Sequence, residues 1–350
     1  MSIKLKIRLS IEGRQQSSTP FAITFQISNA CDQDVHVLKR CTPLEGLLSD
    51  CFEITRDGIP VPYDGPLLKR SPATKKEYVL LKAGQSIEQS VDLSGCYQVS
   101  TPGKYEVQFR GTIHDVQPKS SYRKMKKIKS EDRSMMQLKV RSKKFTVRAG
   151  GRGRATSGEV ARSIDESEQL KNRKQKKKAV RRRRSSVAAD PILVGGTTAR
   201  KNATRSAHNA GYALAVAALS NLANDSKYKE WFGRHAASRF RKVKQVYQDT
   251  RDGMKDVEFT YQLDPGTHCG PTTYAYTYHD STTIWLCQVF WDSPATGTDS
   301  KAETILHEHT HATARTDDHA YGQDDCRQLA ISDPATAIDN ADNYAYYTGN

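Results

Sequence analysis

No stretch of the 350 residues approaches the roughly 18 consecutive apolar side chains that a membrane span requires, so a bilayer-spanning helix is not expected. The first ten residues, Met1 to Ser10, alternate charged with apolar side chains and lack the apolar core of a signal peptide. They read as a strand, and three readings of destination stay open: export by another route, a signal outside this sequence, or retention in the cell. The cysteines, at positions 31, 41, 51, 96, 269, 287 and 326, include no CxxC pair, which excludes a zinc ribbon and a thioredoxin-like redox centre. Their number is odd, so not all can pair within the chain. Cys269 and Cys287 flank a hairpin-like segment and are the expected disulfide, which favours an oxidising compartment. The others read equally well as buried thiols.

What is present divides the chain into three. Hydrophobic residues make up 37% of the sequence, enough for packed domains at this length. The formal charge of +15 first suggests a nucleic-acid or acidic-membrane partner, but residues 141–200 alone carry 18 Lys and Arg against 5 Asp and Glu. The flanking regions are close to neutral, which removes the general case for a nucleic-acid binder. Residues 1–148 hold short alternating runs, such as Phe21 to Ile27, Glu77 to Leu81 and Lys104 to Phe109, broken by Gly, Pro, Asn and Asp. That pattern predicts an all-β sandwich, with a closing strand from Met136 to Val147 after a basic insertion at Lys119 to Arg133. No catalytic constellation is visible in it.

Residues 149–196 change composition, with Lys176 to Lys178 and Arg181 to Arg184 and almost no large apolar side chain before Ile192. They read as a flexible linker. Three uses fit: a cleavage site for a trypsin-like or furin-like processing protease, an electrostatic tether to nucleic acid or anionic lipid, or solvated charge. Dibasic sequence between two domains favours the first. Beyond it, residues 197–350 predict an α+β domain. Ala199 to Leu222 and Lys227 to Gln248 carry helical periodicity, with N-cap chemistry at Asn224-Asp-Ser226, and Val257 to Tyr261, Tyr274 to Tyr278 and Thr283 to Cys287 read as strands.

The chemistry concentrates near the C-terminus. Ser300 and Glu303 form a capping box that starts a helix running to about Ala312. On it His307 and His311 stand four apart, one turn above the other, so both imidazoles can face a single metal ion. Glu308, one position along, is placed to take a proton from water activated by that ion, whose pKa a zinc ion lowers to about 7. His309 points elsewhere and reads as incidental. The sequence His307-Glu-His-Thr-His311 could equally be a solvated helical face, since the short motif also arises by chance. Catalytic zinc usually takes a third protein ligand. No HExxHxxGxxH pattern supplies one, and Asp317, Asp318 and His319 are the candidates within reach of a helix that stops and turns back.

The run Gly297-Thr-Asp-Ser300, His307-Glu-His-Thr-His311, Thr316-Asp-Asp-His-Ala-Tyr-Gly322, Cys326-Arg-Gln-Leu-Ala330 and Asn340-Ala-Asp-Asn-Tyr344 resembles the aspzincin metallopeptidases, the deuterolysin and peptidyl-Lys metalloendopeptidase family. Similar segments upstream, Lys229 to Gly233, Thr273 to Tyr278 and Trp285 to Trp291, extend the resemblance over essentially residues 197–350. It implies a zincin-like domain and one Zn2+ held by His307, His311 and Asp318. It further implies Glu308 as general base and Tyr321 as hydrogen-bond donor to the transition state. Asp318 rather than Asp317 is implied because it stands three residues before Tyr321. Asp342 matches a position that binds the substrate lysine in the S1′ pocket of the lysine-specific members. Those members add a glutamate where this chain has Ala345, so a less acidic pocket is expected. Helix capping is the alternative role for Asp342. The N-terminal domain resembles the family's pro-region through Cys51 to Thr55, Leu80 to Ser86 and Pro102 to Val107, which implies a zymogen.

The function expected is a secreted or exported zinc endopeptidase acting on proteins or peptides. The alternative is a β-sandwich adhesion or nucleic-acid-binding protein whose zinc site is structural or inactive. That alternative accounts for the charge but not for Glu308, Asp318 and Tyr321 in that order.

Overall fold

The computed structural model describes residues 3–11, 21–124, 138–149 and 187–349. Most of the basic linker and part of the basic insertion lie outside them. The chain forms two bodies: residues 1–65 with 73–158, and residues 66–72 with 159–350.

The first body is β-rich, as its alternation predicts. Ala22–Asn29 lies between Leu5–Ser10 and Ser86–Asp92. Val35–Leu38 lies between Val116–Pro118 and Tyr78–Leu81. A third sheet is built on Gly103–Ile113, and every pairing in the three is antiparallel. Ile23, Phe25 and Ile27 point to one side of their strand and are buried; Tyr105, Val107 and Phe109 do the same on theirs. Phe25 meets Phe109 with ring centroids 5.0 Å apart. The expected closing strand is two strands, Leu138–Arg141 and Phe145–Ala149, both paired with Gly103–Ile113. The break falls at Ser142, whose N–H donates to the Phe109 carbonyl and whose hydroxyl accepts from the Phe109 N–H.

In the second body, strands β1 (Leu67–Arg70), β2 (Ile192–Val194), β3 (Thr260–Gln262), β4 (Thr273–Thr277) and β5 (Thr283–Leu286) form one sheet in the order β2-β3-β5-β4-β1. The β2–β3 and β3–β5 pairs are parallel, and β4 is antiparallel to both β5 and β1. Helices α1 (Thr198–Asn221), α2 (Ser226–Phe232), α3 (Ala237–Asp256), α4 (Gln288–Asp292), α5 (Lys301–Ala314), α6 (Gln323–Ser332), α7 (Pro334–Ala337) and α8 (Ala341–Thr348) complete it. The second helix predicted from periodicity is thus broken into α2 and α3. Gly233 makes the break at φ 73°, and a Cβ there would meet the Ala330 carbonyl oxygen at 2.2 Å, so only glycine fits. Asp225 caps α2 through the Tyr228 N–H, as its sequence suggested.

Helix α5 is the centre of this body. It packs against α1, α3, α8 and β4, and its residues from Ala302 to Ala312 are all buried. Gly253 lets α3 come close, since a Cβ there would stand 2.4 Å from the Thr313 methyl. One apolar cluster, built on Phe259, Tyr261, Ile284, Phe290 and Ile305, joins the sheet to α5. A second, built on Trp231, Phe232, Val246, Tyr247 and Tyr344, joins α2, α3 and α8. So polar a helix can be buried only if its polar groups find partners. Thr304 donates to the Ser300 carbonyl, Thr310 to that of His307 and Thr313 to that of His309.

Candidate metal centre and active site

Ser300 caps α5 by accepting from the Glu303 N–H, and Glu303 reaches back to the Asp299 N–H. The helix runs to Ala314, two residues past the expected end near Ala312, and is capped by Arg315 in the left-handed conformation, φ 57°. The chain then returns under the helix. Asp317 exchanges backbone bonds with Asp339 and Ala341, and the Asn340 side chain accepts from the N–H groups of both His319 and Ala320. Asp318 is held between these anchors and aimed at the helix.

Three ligand atoms converge there. His307 Nε2 and His311 Nε2 stand 3.0 Å apart, and Asp318 approaches them at 3.3 and 3.4 Å. All three side chains are buried. Ligands at the usual zinc bond lengths in a tetrahedron stand about 3.3–3.5 Å from one another, so a small divalent ion fits the group. The far nitrogens agree. His311 Nδ1 lies 2.6 Å from the Thr316 carbonyl, which can only accept, and His307 Nδ1 stands 2.8 Å from Asp342 Oδ1. Protons on both Nδ1 atoms leave two Nε2 lone pairs facing each other. Such a pair, with the Asp318 carboxylate beside it, is suited to holding a cation. Burial opposes charge on His307, but Asp318 and Asp342 outweigh it and push its pKa up to about 9. Burial likewise opposes charge on Asp318, yet His311 and His307 hold its carboxyl far below the ordinary range.

Glu308 is fully buried beside this group. Burial, with Asp318 adding to it, pushes its pKa up to about 8, against the pull of His307, the Lys69 ammonium and the Lys69 backbone N–H. Tyr321 follows Asp318 by three residues, and the Arg70 guanidinium lies over its ring at 5.9 Å. The other two candidate ligands turn away. Asp317 pairs with His279 at 3.2 Å and His319 with Asp339 at 3.1 Å. His309 also points away from the centre and is buried, hydrogen-bonded to Tyr261 at 2.8 Å.

Asp342 lies at the N-terminus of α8, but it does more than face the helix end. One oxygen stands 2.8 Å from His307 Nδ1 and 2.7 Å from Lys69 Nζ, and the other accepts from the Gly322 N–H. Lys69 is wholly buried, with Asp299 at 3.7 Å and the rings of Tyr346 and Tyr274 at 5.3 and 5.6 Å from its ammonium. Burial alone would lower the Lys69 pKa; Asp342 and Asp299 drive it well above its ordinary value. Asp299 brings a second carboxylate to this ammonium from another part of the chain. Tyr346 holds Asp299 in place with a 2.8 Å hydrogen bond.

Sequence reasoning did not single out Lys69, Asp299, His279 or Asn340. Asp299 stood within a quoted motif, beside the capping serine. For Lys69 there was no signal, since 273 residues separate it from Asp342. The expected disulfide, Cys269–Cys287, is formed, and Cys31, Cys41, Cys51, Cys96 and Cys326 are not disulfide-bonded.

Comparison with known proteins bears on this geometry. The profile of the aspzincin family described as lysine-specific metallo-endopeptidase matches residues 217–349. An extracellular protease of Aeromonas hydrophila is 30% identical over 95% of this chain and 89% of its own length. A peptidyl-Lys metalloendopeptidase of Grifola frondosa is 36% identical over 46% of this chain and 47% of its own. Among solved structures, a zinc peptidase from Grifola frondosa is 34% identical over 44% of this chain and 96% of that one, with a TM-score of 0.40. With a relative matched along nearly its whole length and the family profile lying over the helix, the return loop and α8, the chain belongs to the aspzincin family and is a metalloendopeptidase.

Proposed function

We propose that this protein is a zinc-dependent endopeptidase, made as a zymogen and exported, that cuts peptide bonds preceding lysine. The observation that carries the reading is the triangle of His307, His311 and Asp318, with the other nitrogen of His311 bonded to the Thr316 carbonyl and that of His307 facing Asp342 at 2.8 Å. A zinc ion held by that triangle supplies Lewis acidity to the attacking water and to the scissile carbonyl. Glu308, kept in a dry site with a raised pKa, takes the proton from the water and passes it to the leaving amine. Tyr321 donates its hydroxyl proton to the developing oxyanion. Asp342 and Asp299 receive the ammonium of a lysine on the leaving-group side, and the tyrosine rings line its stem. The names of the relatives from Grifola frondosa and Aeromonas hydrophila support the lysine preference and the export. The processing of the zymogen is supported by the arginine and lysine runs between residues 149 and 196.

The test is digestion of an unfolded protein by the zinc-loaded chain, before and after cleavage of its basic segment, with the cut sites read by mass spectrometry. Glu308→Gln is expected to retain zinc and lose about 10²–10⁴-fold in rate, and wild-type cuts are expected to precede lysine. Unchanged activity in Glu308→Gln, or cuts indifferent to lysine, would sink the corresponding part of the reading.

A further inference from the structure

Strand β1 belongs to the peptidase body, although its nearest neighbours in sequence belong to the other. It adds to the free edge of β4, with Leu67 opposite Thr277, Leu68 opposite Tyr276, Lys69 opposite Ala275 and Arg70 opposite Thr273, and the Ser71 N–H extends the ladder to the Thr272 carbonyl. All four of its residues are buried. An exposed sheet edge is a general way to bind an extended peptide: the main chain gives affinity and side-chain pockets give selectivity. Here the pocket is the acidic one, and Lys69 fills it. The same strand lays Arg70 over the Tyr321 ring. Two carboxylates and two aromatic rings surround one buried ammonium, and without Lys69 the buried Asp342 carboxylate would keep, among the described residues, only His307 and the Gly322 N–H beside it.

We infer that residues Pro66–Pro72 are a built-in substrate mimic that keeps the enzyme latent, with Lys69 in the place of the substrate's lysine and the Leu68–Lys69 bond lying where a scissile bond would lie. The inference rests on the lysine-recognising site proposed above. A strand tethered within the same chain competes at an effective concentration that reaches the millimolar range, so a free peptide with ordinary affinity is excluded while the tether holds.

The experiment compares the full-length wild type with Lys69→Ala and Lys69→Glu by two measurements. The first is hydrogen exchange of the Thr273–Thr277 amides, which depends on neither zinc nor hydrolysis; protection in Lys301–Ala314 reports that the body remains folded. The second is hydrolysis of a peptide containing lysine, at equal zinc content. Exchange in β4 is expected to quicken by about tenfold or more in both variants, and hydrolysis to rise by about tenfold or more over wild type. Unchanged exchange and unchanged hydrolysis overturn the mimic. So does faster exchange without a gain over an already active wild type, and so does wild-type chain cut between Leu68 and Lys69 as fast as the added peptide, which would make the strand a substrate. Faster exchange with no hydrolysis by any of the three chains overturns the peptidase reading itself, and the inhibition with it.

Discussion

Asp342 serves two cationic sites with one carboxylate, and the consequence can be measured. The oxygen that faces His307 Nδ1 also faces the pocket ammonium, while Asp299 touches only the pocket. Asp342→Asn is therefore expected to weaken zinc binding by about 10–100-fold, as removal of a ligand's outer partner usually does, and to erase the preference for lysine. Asp299→Asn is expected to leave zinc affinity unchanged and to lower kcat/KM for lysine peptides by about tenfold, a loss of about 1.4 kcal/mol. Competition with a chelator measures the first quantity, and paired lysine and alanine substrates measure the second. Equal effects of the two variants on zinc would show that the pocket and the metal centre are not separable as drawn.

Helix α5 has two faces with opposite electrostatics. Toward Asp318 and Asp342 it carries His307, where positive charge is favoured; on another side His309 bonds the Tyr261 hydroxyl, which in turn bonds His208 Nδ1 at 2.8 Å. Among the described residues, no carboxylate is hydrogen-bonded to this second chain of groups. Burial pushes the His208 pKa down to about 4 and that of His309 well below its ordinary value, so both stay neutral in the fold. A histidine with an unfolded pKa near 6.5 and a lower folded one stabilises the fold above pH ~6.5. That contribution is lost as the pH falls toward 4, because the unfolded chain takes up the proton first. The melting temperature of the second body is expected to fall across this window. Replacing His208 with Gln is expected to flatten the slope, whatever it does to stability at pH 8. An unaltered slope would mean that folding does not shift the His208 pKa.

At the scale of the whole chain, the proposed ligands all lie in the second body. Removing zinc is expected to lower the melting temperature of that body and leave the β-rich body unmoved. A ligand present at a thousand times its Kd adds about 4 kcal/mol to the stability of the state that binds it. Calorimetry of the full chain with and without a chelator should show two transitions of which one shifts. Transitions that both shift, or neither, would argue against a metal confined to the second body.

The local elements were legible in the sequence because they depend on neighbours in the chain. The strand at Phe21 to Ile27, the cap at Ser300 and the pair His307 and His311 follow from a period of two, a side chain reaching three residues on, and a helical turn of about 3.6 residues. Even the choice of Asp318 needed only the resemblance and a spacing of three residues to Tyr321. The break at Gly233 was not legible, because it is imposed by Ala330 and Pro334, about a hundred residues away. The meeting of Asp299 and Asp342 around one ammonium was not legible for a similar reason: it depends on a distance that no local rule measures. The placement of Lys69 is the extreme case. Its sequence surroundings are those of a β-rich region, and its burial becomes tolerable only when the fold surrounds its ammonium with carboxylates drawn from the far end of the chain. Covalent spacing determined which residues could do chemistry; tertiary packing alone decided what charge each would meet, because the cost of burying an ion is set by its neighbours in space.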